Sequence, residues 1–159
     1  MGDRDYYREY QAFRSECPLL RVADPKTGCD WHYFEWAKKD PNRPNHAASS
    51  SNGRGSDEGK EVVLCLPGVT GCAAQFYPQI KDLGKKGYHI MSVIWPPLYS
   101  AQEWAKAFDR FLDSVKVVKV HLVADGLGAF LAQYYTQFDR QFKSAGSSRR
   151  VQSLFLING

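Results

Sequence analysis

The chain has no long apolar run, no paired-cysteine motif and no strong excess of either charge. No stretch approaches the length of a membrane-spanning helix, so no transmembrane segment is expected. The N-terminal MGDRDYYREYQAFRSE is charged and aromatic and lacks an apolar signal core, which argues against export by the usual route. Gly2 opens a myristoylation pattern, but Tyr6 stands where that pattern needs Ser or Thr. The four cysteines, Cys17, Cys29, Cys65 and Cys72, show no C-x-x-C spacing, so neither a zinc site nor a dithiol centre is expected. Without an export signal, reduced thiols in a cytoplasmic setting are the expectation. No cofactor fingerprint or metal-ligand spacing stands out. The net charge is only +4, and its basic pairs, Lys38-Lys39, Lys85-Lys86 and Arg149-Arg150, are scattered. A nucleic-acid footprint would be a stripe or cluster on one face, so no nucleic-acid partner is expected.

What is present suits a globular domain. A length of 159 residues is ordinarily one domain, long enough to bury about two thirds of its unfolded surface. Residues 1 to about 16 read as a polar lead-in, with room for a short helix that sets Tyr10 and Phe13 on the domain. Cys17 to Val22 reads as an edge strand, with Pro18 near its start. Asp24 to Gly28 is turn chemistry, and the aromatic run Trp31 to Trp36 reads as a hairpin partner. Residues 37–60 change character. They are rich in Asn, Ser, Gly and charge and nearly free of apolar residues, which reads as a disordered insertion. His46 falls within it.

From Glu61 onward, strands and helices alternate. Glu61 to Leu66 is β-branched and nearly continuous in apolar character, as in a strand buried on both faces. A helix over Ala74 to Lys85 carries Phe76, Ile80 and Leu83, with Pro78 tolerable only in its first turn. Tyr88 to Trp95 reads as a strand stopped by Pro96-Pro97. Ser100 and Glu103 form a capping box, opening a helix with Trp104, Phe108, Phe111, Leu112 and Val115 on one face. Lys119 to Val123 is a strand, and the helix after it is expected to bury Phe130, Leu131, Tyr134 and Phe138. A polar loop over Lys143 to Arg150 leads to a last strand, Val151 to Ile157. This alternation implies a mostly parallel sheet covered by helices on both faces.

The stretch that organises the rest is Lys119 to Gln133, KVHLVADGLGAFLAQ. An apolar strand runs into a turn, Ala124-Asp125-Gly126-Leu127-Gly128, and the turn runs straight into a helix. This is the layout of a nucleophile elbow, in which a tight strand-to-helix turn presents a serine hydroxyl at the top of an α/β-hydrolase sheet. The outer positions, Ala124 and Gly128, are suitably small. The central position is Gly126, which has no side chain, so no catalytic residue is assigned. Asp125 offers a carboxylate, and carboxylates do act as nucleophiles. Centring the turn there puts branched Val123 and Leu127 at the crowded flanks. A dinucleotide loop is a further alternative, but Leu131 stands where its third glycine belongs. Pro67 to Gly71 follows the first buried strand, where such folds supply one backbone donor of the oxyanion hole. Gly68, Val69 and Leu127 are therefore the candidate binding residues of a vestigial oxyanion hole, with Val69 as the loop's donor. An ordinary strand–helix connection is the alternative account of that loop. His32 and His89 read as structural, and Cys72 as an idle thiol near the turn.

From Glu61 onward the sequence resembles the maspardin family, a divergent branch of the α/β-hydrolase fold. The residues that carry the resemblance are Leu66 to Gly71, Gly84 to Ile94, Lys119 to Leu122 and Leu127 to Gln133, with Arg150 to Leu154 completing it. Phe13, Pro18 and Leu19 match more loosely. The resemblance implies a cytosolic protein that also associates peripherally with endosomal and trans-Golgi membranes. It implies action through protein partners, among them the tail of a T-cell co-receptor and an aldehyde dehydrogenase relative, with no established substrate. Family members usually keep a serine in the elbow, and this chain has Gly126 there and Ala124 at the first glycine position. An α/β hydrolase places its acid and histidine after the nucleophile. The expectation is therefore a partial domain, truncated before the last strands, with Val151 to Ile157 as an unprotected sheet edge.

Overall fold

The computed structural model describes residues 3–37, 60–69, 71–142 and 149–158. The elements in chain order are α1 (Asp3–Glu16), β1 (Leu20–Ala23), β2 (Asp30–Trp36), β3 (Lys60–Leu66), a 3-10 turn (Ala73–Phe76), α2 (Tyr77–Lys85), β4 (Ile90–Ile94), α3 (Ala101–Ser114), β5 (Val117–Asp125), α4 (Leu127–Phe142) and β6 (Val151–Ile157). The expected insertion at 37–60 lies outside the described residues apart from its ends, Ala37 and Lys60, and His46 lies outside them as well.

One six-stranded sheet runs in the order β1-β2-β4-β3-β5-β6. β1 pairs with β2 and β2 with β4 antiparallel, while β4, β3, β5 and β6 run parallel. The alternation of β3 and β5 explains the two layers. Val62, Leu64 and Leu66 of β3 and Val120, Leu122 and Ala124 of β5 face α3 and α4. Val63, Cys65 and Val123 face the opposite way, toward α1 and α2. Both faces carry apolar side chains, as an internal parallel strand requires.

The α3 face is sealed by aromatic packing. Trp104 stacks on Phe108 at 4.7 Å and Trp31 on Phe111 at 4.8 Å, while Tyr135 of α4 meets Phe108 edge-on at 4.8 Å. On the other face, Phe13 of α1 lies 5.2 Å from Phe34 and 5.6 Å from Tyr77. Tyr10 and Phe13 thus seat α1 on the domain, as the sequence leads one to expect. The α3 cap also matches, since the Ser100 hydroxyl accepts from the Glu103 backbone N–H at 3.1 Å.

Several expectations need correction. Phe130 is 55% exposed, and Tyr135 and Ala132 are the side chains α4 buries instead, alongside Leu131. Tyr134 and Phe138 are half-buried. Only three or four residues in every two helical turns face the core, and the stripe here is set by Ala129, Ala132 and Tyr135. The strand expected over Tyr88 to Trp95 is the shorter Ile90–Ile94, and the strand expected over Lys119 to Val123 is the longer Val117–Asp125. Val115 caps α3 rather than extending it. The helix expected from Ala74 begins as a 3-10 turn and becomes α-helical at Tyr77, which leaves Pro78 in the first turn where its missing N–H costs nothing.

Two ionic ties hold the outer strands. Asp24, at the end of β1, accepts from Arg110 of α3 through both oxygens, at 2.6 and 2.7 Å, and from the Thr27 hydroxyl at 2.7 Å. The Asp139 carboxylate accepts from the backbone N–H of Arg150 and Val151, and Arg150 bonds Asp113 of α3, so the start of β6 is pinned to both helices.

Candidate functional site

β5 delivers the chain to the C-terminal end of the parallel strands, where ligands of open α/β sheets bind. There the backbone reverses within one residue. Gly126 has φ of +50°, its N–H donates to the Ile157 carbonyl at 3.0 Å, and its own carbonyl accepts from Ala129 and Phe130 as α4 begins. The positive φ falls on Gly126 and not on Asp125, so the apex of the turn is the residue without a side chain. A Cβ there would meet only the Gly68 Cα, at 3.6 Å.

The outer positions explain themselves by packing. Ala124 is fully buried. A Cβ on Gly128 would stand 2.5 Å from the Pro67 carbonyl oxygen and 2.6 Å from that of Leu66. Only glycine lets the first turn of α4 lie directly against the exit of β3. That close approach brings the elbow beside the loop after β3.

Between them lies a cleft of about 220 Å³ lined by Pro67, Gly68, Val69, Gly71, Ile94, Trp95 and Leu127. The three residues that sequence reasoning selected for a vestigial oxyanion hole, Gly68, Val69 and Leu127, all line it. The cleft therefore lies between the loop after β3 and the start of α4, with Ile94 and Trp95 of the β4 end as apolar walls. The apex beside it, Gly126, carries no side chain that could act as a nucleophile.

Asp125 is held to one side. Its Oδ2 accepts from Gln75 Nε2 at 2.8 Å and its Oδ1 from Asn158 Nδ2 at 3.2 Å. These amides tie the 3-10 turn and the end of β6 to the elbow. Sequence reasoning passed over Gln75, Asn158, Ile94 and Trp95. Asn158 and Trp95 each directly follow a strand at the C-terminal end of the sheet, which is a usable signal, while nothing marks Gln75.

The other flagged residues lie elsewhere. His89 Nε2 sits 2.7 Å from Glu35 Oε1, at the start of β4. His121 bridges three strands, with Nδ1 2.7 Å from the Ser153 hydroxyl and Nε2 2.9 Å from Glu61 Oε1. That row crosses the sheet face five residues before the apex, roughly 16 Å along the strand, so it completes no site at the elbow. His32 is half-buried on β2 and Cys72 is exposed. Cys65 is packed in β3, where burial pushes its thiol up to about 12. Among the described residues no group of three or more His, Cys, Asp or Glu gathers to hold a metal, and no helix is long and apolar enough to cross a membrane.

The strand order, the tight turn between β5 and α4, and the loop of β3 beside it define an α/β-hydrolase-fold protein. Solved structures agree on the fold. An epoxide hydrolase of Vigna radiata is similar over 89% of this chain and 40% of its own, with 18% identity and a TM-score of 0.63. A hydrolase-like protein of Bacillus subtilis is similar over 97% of this chain and 50% of its own, with 16% identity and a TM-score of 0.62. By sequence the chain is a homologue of maspardin. It is 34% identical to human maspardin over 159 residues, 99% of this chain and 44% of that protein. It is 29% identical to the Danio rerio protein over 151 residues, 94% of this chain and 41% of that one. The Rattus norvegicus protein matches at 28% over 159 residues, 99% of this chain and 52% of that one. The chain thus spans about half or less of the length of these relatives. No family model matches it.

Proposed function

We propose that this chain is a maspardin-like, non-catalytic α/β-hydrolase-fold protein that acts by binding other proteins, in endosomal or trans-Golgi trafficking or in receptor regulation. The observation that carries the reading is Gly126, the apex residue at positive φ with no nucleophile to present. The surface around the cleft supports a binding role. Val69 is 77% exposed, Leu127 39% and Phe130, one helical turn after Leu127, 55%. Exposed apolar residues beside a cleft are a common mark of an interaction site.

Phe130→Asp tests the binding role. Proteins captured on the wild-type chain should be lost from the variant while its far-UV spectrum and melting temperature hold. An unchanged captured set would count against the cleft rim as the binding surface.

A second reading is that the chain is part of a serine-hydrolase-type esterase or lipase of the same fold. The observation in its favour is the cleft between the loop after β3 and the start of α4, lined by Gly68, Val69 and Leu127. Gly126→Ser tests whether the rest of a hydrolase site is intact. The left-handed backbone costs a non-glycine residue about 1–2 kcal/mol, and the space around the apex admits the side chain. Made in the full-length protein, the variant should gain ester turnover if the second reading holds, and persistent silence would count against that reading. Turnover would show that only the nucleophile has been lost.

A further inference from the structure

We draw no further inference here: the strongest candidate, the exposed apolar rim of the cleft at the C-terminal ends of β3 and β5, formed by Val69, Leu127 and Phe130, belongs to the site already described, and nothing in the structure shows what covers it.

Discussion

At the scale of single residues, two positions show how local chemistry shapes this molecule. Gly128 is dictated by packing, because any side chain would collide with two carbonyl oxygens at the exit of β3. Asp24 is dictated by charge. Its side chain is buried, and the Arg110 guanidinium bound through both oxygens holds its carboxyl well below the usual carboxylate range. Removing one partner of a buried pair leaves an uncompensated charge, at a cost of about 3–5 kcal/mol. Arg110→Ala is therefore expected to lower stability by about that much. The pH dependence follows from linkage. A carboxyl with a depressed folded value contributes stability that is fully present above its unfolded value, near pH 4, and is lost as pH falls toward the folded value. Urea titrations between about pH 5 and pH 2 should show this loss in the wild type. Asp24→Asn should be less stable at neutral pH and should show a shallower acid slope.

At the scale of elements, α3 ties the domain together. Its aromatic face packs against β2 and α4, its Arg110 holds the β1 end, and Asp109 and Asp113 receive Arg150, which directly precedes β6. Its start depends on the Ser100 cap, so Ser100→Ala should cost about 1 kcal/mol in chemical denaturation. Much at this scale was legible in the sequence. The capping box, the spacing of Trp104, Phe108 and Phe111, and the apolar runs of β3 and β6 each follow from local pattern, and β6 has the expected bounds. The stripe on α4 was less legible. Phe130 and Tyr135 are both aromatic, and only the partner helix decides which turns inward. The elbow could be found because a tight turn restricts composition over five residues. Gln75 could not, because its contact with Asp125 joins residues far apart in sequence through a fold that periodicity does not specify. The pairing of His121 with Glu61 and Ser153 depends likewise on strand order.

At the scale of the whole molecule, the account separates architecture from chemistry. The six-stranded sheet, the helices on both faces and the cleft at the ends of β3 and β5 are those of an α/β-hydrolase-fold protein homologous to maspardin. The reactive position within that architecture is a glycine. In a comparable triad, loss of the nucleophile alone lowers turnover by about 10⁶. The most direct test is reaction of the native protein, at the full length of its reading frame, with a fluorophosphonate probe, with heat-denatured protein as the control. The non-catalytic reading predicts no adduct that depends on the native fold. An adduct formed by the folded protein and absent from the denatured one would reveal an activated nucleophile and contradict it.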